Sequence, residues 1–402
     1  MAKLSFLIYL TVVLLPMRVS AATDSLLNLR ELIEEVKREN PELQALREEL
    51  QAAGYGVSWF RYMPDPFASV EFSDEMTMYS VTQQIPFPTK IAKRLDFAEL
   101  DVDYVALLYE GKEQMLIREV KEAYADFLLL QGKISATVKS IAFLQQIHNT
   151  ARQKYSVNEA SQAEVLMAQV ELARSENQLL NLNDDITIVA ARVNTLLNRD
   201  LDMRLLLLDS LVPSVDTIPL PVLYELARTN QPRLKSSELK QKKAQLMLSM
   251  ARQGYLPDMA FKYTHEMMES GMRNSKYMVG VTVPLWFWGK QDRAIHEANA
   301  IVRSAGARYE MMENAVLLDV KEAKVRLDKF RRVINLYRNS VLPQAETALK
   351  SALTGYELNR VDFHILLESE KSLVLAEYDY EEARANLFMA LAELEQTIGY
   401  VD

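Results

Sequence analysis

Residues 265–272 read His265-Glu266-Met267-Met268-Glu269-Ser270-Gly271-Met272. Thioether and imidazole groups are donors for soft cations such as Cu(I) and Ag(I), so this run is a candidate for handling such ions. Met76 and Met78 form a sparser pair of the same kind in the first half of the chain. The same composition also suits a flexible loop that contains methionines and has no affinity for metal. Catalytic chemistry has less to work with. The four histidines, His148, His265, His296 and His364, are scattered, and there is no cysteine. Thiolate nucleophiles, thiolate metal sites and disulfides are therefore excluded. The motifs HExxH and GxSxG and a phosphate-cradling glycine loop are all missing. The expectation is a protein that is not an enzyme and has no cofactor and no resident metal.

A second concentration of unusual residues is Thr282-Val-Pro-Leu-Trp-Phe-Trp-Gly-Lys290. It holds two of the three tryptophans, Trp286 and Trp288, on either side of Phe287. Pro284 and Gly289 bracket them. Aromatic rings gathered at a strand end suit the boundary between a membrane and water. They equally suit an aromatic core cluster at a strand–helix corner.

The elements that must carry these residues follow from composition and pattern. The chain has 402 residues, of which 49% are hydrophobic and 25% charged, an ordinary balance for a folded protein. Only 11 glycines and 13 prolines interrupt it, which favours long helices. A formal net charge of −9 argues against a nucleic-acid partner. Near the N-terminus, Lys3 precedes the apolar run Leu4 to Leu15, which is too short to cross a bilayer comfortably. Val19-Ser20-Ala21 follows as a small-residue cleavage site, so residues 1–21 read as a secretory signal peptide, with a retained anchor helix as the alternative. No later segment has about 20 uninterrupted apolar residues, so no helical membrane span is expected.

The rest is written twice. Asn40-Pro-Glu-Leu43 has its partner in Gln231-Pro-Arg-Leu234, and Met63-Pro-Asp65 in Leu256-Pro-Asp258. Gln84-Ile-Pro86 answers Thr282-Val-Pro284, Lys90 and Arg94 answer Lys290 and Arg293, and Tyr155-Ser-Val-Asn158 answers Tyr356-Glu-Leu-Asn359. The period of about 195 residues is far longer than that of a solenoid repeat. Two repeats are expected, 22–212 and 213–402. Each has a first helix (Leu27 to Trp59, Pro221 to Gly254), then a β-hairpin (66–86, 258–285), then a long helical hairpin (90–198, 290–399).

Met259, Phe261, Tyr263 and His265 alternate with Ala260, Lys262, Thr264 and Glu266, the period-two pattern of a strand with one apolar and one polar face. Ala68, Val70 and Phe72 alternate with Ser69 and Glu71 in the weaker first copy. A helix from Lys90 to Gln153 would be about 100 Å long at roughly 1.5 Å per residue. Asn158 can adopt the left-handed conformation of a tight reversal, and Ser161 can cap the returning helix. Val165, Leu172, Leu179, Ile186 and Val193 form a heptad seam, as do Leu366, Leu373, Tyr380, Leu387 and Leu394. A plain antiparallel bundle would explain the seams but not the hairpins. Four strands cannot close a membrane barrel alone, whereas three chains would supply twelve, within the range of outer-membrane barrels.

The duplicated order of NPxL, Pro-Asp before a strand, QxP or VPLWFWGKQ, a long helix, YxxN and heptads resembles the TolC-type outer-membrane efflux factor family over essentially the whole mature chain. PLWFWGKQ resembles members that serve tripartite, resistance-nodulation-division-type pumps, often in the heavy-metal branch. The resemblance implies a mainly α fold with a small β part. It implies a homotrimer in which a twelve-stranded β-barrel in outer-membrane lipid stands on an α-helical periplasmic tunnel. Such a duct passively conducts substrates, metal ions or small toxic compounds, from periplasm to exterior, working with a periplasmic adaptor and an inner-membrane pump. By the same resemblance, Tyr155, Asn158, Ser161, Tyr356, Asn359 and Asp362 belong to adaptor-docking tips. Glu164 and Glu368 become an acidic pore constriction, or else solvated surface charges. Phe87, Trp286, Phe287 and Trp288 become the membrane-interface aromatics. A soluble periplasmic coiled-coil scaffold or adaptor and a type I protein-secretion exit duct remain as alternatives. Two departures stand out: there is no lipidated cysteine, and asparagine replaces the family's usual tip glycine at positions 158 and 359.

Overall fold

A computed structural model of the chain describes residues 26–74, 76–207, 218–268 and 270–400. The signal peptide and the repeat boundary at 212–213 lie outside the described residues. A short strand, β1 (Leu26–Leu27), opens the described chain, and helices α1 (Leu29–Glu39) and α2 (Pro41–Trp59) follow. The hairpin β2 (Phe67–Phe72) and β3 (Met76–Ile85) leads to α3 (Pro88–Ser156) and α4 (Gln162–Leu196). After β4 (Leu206–Leu207), which pairs in parallel with β1, the plan repeats. Helices α5 (Leu220–Asn230) and α6 (Pro232–Arg252) precede β5 (Asp258–Met268) and β6 (Arg273–Thr282). Helices α7 (Asp292–Leu336), α8 (Leu342–Glu357) and α9 (Phe363–Ile398) complete the second copy.

The first helix of each repeat is two helices rather than one. The breaks fall at Asn40–Pro41 and Gln231–Pro232, because proline lacks an N–H and pushes the residue before it out of helical geometry. Asn40 is extended there (φ −66°, ψ 124°), and its side chain caps α2 by accepting from the N–H groups of Glu42 and Leu43. Its Nδ2 donates to Leu196 O at 3.0 Å, at the end of α4. Gln231 does the same work in the second copy, donating from Nε2 to Gln396 O and Thr397 O at the end of α9. The duplicated Asn/Gln-Pro therefore marks a joint that clamps the short helices onto the returning long one.

Helix α3 runs unbroken for 69 residues, about 100 Å at 1.5 Å per residue. Its counterpart is interrupted by a π turn at Tyr337–Val341, just before Pro343. A widened turn there absorbs the hydrogen bond that proline cannot donate. One stretch of α3 is apolar enough by composition to cross a membrane. It is instead the central helix of the layer, packed against α2, α4, α6 and α9.

Three apolar clusters hold the helices. Leu32, Val36, Leu116, Val120, Tyr124 and Val193 join α1 to α3 and α4. Leu223, Val316, Val320, Leu327 and Leu394 make the equivalent joint of α5, α7 and α9. Leu144, Ile147, Ala168, Tyr356, Phe363 and Leu366 bind the two helical hairpins together near their tips. The predicted heptad seams fall on these buried sides: Val193, Leu366, Leu387 and Leu394 are buried inside the chain.

The sheet has the order β2-β3-β5-β6, antiparallel throughout. Neighbouring helices follow the same order. Helix α2 runs into β2, β3 into α3, α6 into β5 and β6 towards α7, and α2, α3, α6 and α7 pack side by side. Proline stands at every one of these crossings, as Pro64, Pro86 with Pro88, Pro257 and Pro284.

Candidate conduit surfaces and hairpin tips

The register assigns each strand residue to a face. Ala68, Val70, Phe72, Tyr79, Val81, Met259, Phe261, Tyr263, Tyr277, Val279 and Val281 share one face through their cross-strand pairs. Ser69, Ser80, Thr82, Lys262, Thr264, Glu266, Asn274, Lys276 and Thr282 share the other. The apolar face is not buried: Phe72, Tyr277 and Val279 are among the most exposed large hydrophobic side chains of the described residues. On the polar face, Glu266 accepts from Lys276 Nζ at 2.6 Å, and the hydroxyls of Ser69 and Ser80 lie 2.8 Å apart. One face is mainly apolar and the other mainly polar, as in a wall between lipid and water, with Thr77, Gln83, His265, Arg273 and Ser275 on the first and Phe67, Met76, Met78, Met268 and Met278 on the second.

The sheet is open at β2 and β6, and the helical layer at α4 and α7. Both helical edges carry exposed apolar side chains: Leu166, Val170, Leu180 and Ile188 on α4, and Met311, Leu318 and Val325 on α7. Met311, Leu318 and Val325 recur every seventh residue, the spacing of a helix prepared for another helix.

At the strand–helix junction the two repeats are tied together. Asp258 Oδ1 accepts from the Phe87 N–H and from Lys90 Nζ, both at 2.9 Å, and Lys90 Nζ also donates to Leu256 O at 2.9 Å. The repeat pattern makes Lys290 the counterpart of Lys90, and Asp65 that of Asp258. Neither Lys290 nor Asp65 has an ion-pair partner among the described residues.

Trp286, Phe287 and Trp288 sit where Thr282 ends the strand and a π turn at Phe287–Gln291 starts the helix. Trp286 is 69% exposed and Trp288 63%. The three rings touch only edge to face, with centroids 4.9 Å apart for Phe287–Trp288 and 6.1 Å for Trp286–Trp288. No core among the described residues encloses them. Phe87, at the equivalent turn of the first repeat, is half-buried.

At the opposite end, Asn158 (φ 61°) and Asn359 (φ 57°) are both left-handed. Around each the same bonds recur. Glu159 N–H reaches back to Lys154 O at 2.8 Å, and Arg360 N–H to Gly355 O at 2.7 Å. These close a Schellman-type helix end. Ser161 and Glu164 then form a capping box: Ser161 Oγ accepts from Glu164 N–H at 3.3 Å, and Glu164 Oε1 accepts from Ser161 N–H at 3.1 Å. Asp362 starts α9 without a side-chain cap. Tyr155 is exposed, whereas Tyr356 is buried.

The two tips are fastened to each other. Tyr356 Oη donates to Glu164 Oε2. Lys154 Nζ donates to Tyr356 O at 2.5 Å and to Asn359 Oδ1 at 2.6 Å, and lies 4.5 Å from the Tyr356 ring centroid. Burial first, then the hydrogen bond to Glu164 and the carboxylate's charge, raise the Tyr356 hydroxyl above its ordinary range, so it stays a donor. Glu164 and Glu368 therefore occupy different settings. Glu164 is bound by its own helix and by the neighbouring tip, while Glu368 is exposed on α9. The S-x-x-E spacing of Ser161 and Glu164 is the sequence signal for the first of these bonds. Lys154 and Lys90, which link the repeats, were not among the expected site residues. Among the described residues no cluster of His, Cys, Asp or Glu suits a metal ion.

An amphipathic sheet continued by long helices and open at both edges is the fold this chain shares with solved outer-membrane channels. The chain aligns with the channel CusC at a TM-score of 0.82, with 13% identity, over 93% of this chain and 92% of that one. A family model described as outer membrane efflux protein matches residues 68–199 and 223–399, and the chain belongs to that family. It is 21% identical to the cobalt-zinc-cadmium resistance protein CzcC of Cupriavidus metallidurans, over 90% of this chain and 87% of CzcC. It is 23% identical to the outer membrane protein TolC of Vibrio cholerae, over 96% of this chain and 95% of TolC. The chain is accordingly an outer-membrane efflux channel protein, and its family consists of channels rather than enzymes.

Proposed function

We propose that three copies close edge to edge, β6 of one on β2 of the next, into a twelve-stranded barrel in the outer membrane. In the same step α7 of one chain meets α4 of the next and completes a periplasmic helical tunnel. The duct is passive: an adaptor docks at the tips, and an inner-membrane pump drives cargo through. The observation that carries this reading is the unsatisfied half of the junction. Lys90 and Asp258 join the repeats inside one chain, and their counterparts Lys290 and Asp65 are left over at opposite edges. Joining Lys290 of one protomer to Asp65 of its neighbour repeats the internal contact around a ring. An open edge and an exposed apolar sheet face also weigh against a soluble scaffold or adaptor, which would have to cover both.

The chain has no native cysteine, so the contact can be tested by cross-linking. In outer membranes, Asp65→Cys with Lys290→Cys should give disulfide-linked trimers on a non-reducing gel, and neither single variant should. A double variant that stays monomeric while fractionating with the membrane would reject the arrangement.

Heavy-metal ions are the proposed cargo class, supported by the likeness to CzcC. Tyr155, Asn158, Ser161, Tyr356, Asn359 and Asp362 form the proposed adaptor surface. Glu164 and Glu368 are the proposed acidic lining of the entrance, with Glu368 the carboxylate free to meet a passing cation. The proposed interface girdle is Phe87, Trp286, Phe287 and Trp288.

A further inference from the structure

The sequence groups His265 with the methionines around it, but the fold separates them. Met76 pairs directly with Met268 across β3 and β5. Met268 in turn faces Met272 across the hairpin turn, its N–H donating to Met272 O at 3.0 Å while Gly271 N–H donates to Met268 O at 2.9 Å. Gly271 takes the left-handed conformation (φ 78°) that this turn requires. Alternation sets Met76 and Met268 side by side on the polar face of β3 and β5, and the turn's hydrogen bonds place Met272, the residue before β6, opposite Met268. Met78 stands on the same face one step along β3, diagonal to Met268 and opposite Glu266. His265 and Met267 point to the other face, where His265 Nδ1 lies 3.1 Å from Ser275 Oγ.

Directly opposed residues have Cβ atoms about 5 Å apart, and diagonal neighbours about 7–8 Å. Unbranched methionine side chains with three rotatable bonds can converge across such gaps. Thioethers carry no charge and select soft, weakly hydrated cations over hard divalent ones. Of the carboxylates opposite Met78, Glu266 (5% exposed) is engaged by Lys276 and Glu71 is exposed to solvent, so the preference for soft ions is set by the thioethers.

We infer that Met76, Met268 and Met272, with Met78 beside them, form a thioether site for a soft monovalent metal ion, Cu(I) or Ag(I), on the polar face of the sheet at its hairpin end. The site rests on the sheet register and on the hydrogen bonds of the hairpin turn. Its position inside the lumen of a duct rests on the proposed barrel.

The test is equilibrium dialysis of the full-length protein, purified in detergent, against silver nitrate in chloride-free buffer, with bound silver counted by elemental mass spectrometry. One silver per chain is expected. Losing a ligand should cost at least as much as losing an outer-shell partner, so Met268→Leu should weaken binding about 10–100-fold. The combined Met76→Leu, Met268→Leu and Met272→Leu variant should bind none, while His265→Gln and Met267→Leu should bind as the parent does. Leucine nearly conserves volume, so the single variants keep the fold should the triple variant not. Parent-level binding by Met268→Leu, or loss of binding in His265→Gln, would overturn the site. Conductance of the same preparation in planar bilayers reads the duct separately. A conducting protein that binds no silver removes the site and leaves the duct; silver binding without conductance does the reverse.

Discussion

Tyr356 Oη lies 3.0 Å from Glu164 Oε2, a contact that joins residues 192 apart in the sequence and fixes one helical tip against the other. The bond has a charged acceptor and a donor that burial keeps protonated. Hydrogen bonds of this kind are worth about 1.5–3 kcal/mol. Tyr356→Phe should therefore loosen the tip, and Lys154→Met should do the same from the other side. Single-channel recordings are expected to show a higher open probability for both variants. Unchanged recordings would mean that the fastening has no part in gating.

Asn158 and Asn359 hold a conformation that costs a side-chain-bearing residue about 1–2 kcal/mol, less for asparagine and nothing for glycine. Asn158→Ala should raise the rate of limited proteolysis at the tip several-fold, whereas Asn158→Gly should leave it unchanged. Equal rates for the two variants would remove the backbone argument.

Glu370 is 4% exposed and accepts a hydrogen bond from Ser140 across the α3–α9 seam. Burial raises its carboxyl above the ordinary value of 4.5. The Ser140 bond and Lys371 oppose that shift, while Glu171 and Glu377 add to it. A raised folded-state value means that the folded chain holds the proton more tightly than the unfolded one. Stability is then fully present at low pH and falls as pH rises through the raised value. Glu370→Gln, which mimics the protonated acid, should flatten this part of the profile. Thermal melts at successively lower pH should show the parent gaining stability relative to the variant as pH falls through the raised value. Parallel profiles would refute the assignment.

Trp286 and Trp288 contribute to no core of their own chain, so truncating both should leave the helical signal in circular dichroism intact. If they sit at a membrane boundary, Trp286→Ala with Trp288→Ala should lower the recovery of protein in the outer-membrane fraction and the heat resistance of the assembly. Normal recovery and normal heat resistance would show that the rings serve something else.

Much of this architecture was legible because it repeats. The two left-handed asparagines, the alternating strands and the heptad seams are local patterns with a period; the asparagines and the strands appear where expected, and of the seams Val193, Leu366, Leu387 and Leu394 are buried. The helix breaks at Asn40–Pro41 and Gln231–Pro232 were missed because proline is also a good first residue of a helix, and apolar periodicity continues across both. The π turn before Pro343 leaves no pattern of its own. The fastening of Glu164 was half visible: its bond to Ser161 is a short-range motif, but Tyr356 arrives from the other repeat. The grouping of His265 with its neighbouring methionines followed proximity in sequence. A period of two already assigns His265 and Met268 to opposite faces.

The prolines at the four strand–helix crossings solve a problem of spacing. Paired strands lie about 4.8 Å apart, whereas packed helices need roughly 8–10 Å between axes. Four segments of the chain that are neighbours in the sheet and again in the helical layer must spread by about a factor of two as they pass from one to the other. A residue without an N–H releases each strand from its ladder at the level where the fan has to open. Replacing any one of them with a residue able to extend the ladder would carry pairing into the flare, where the geometry has no room for it.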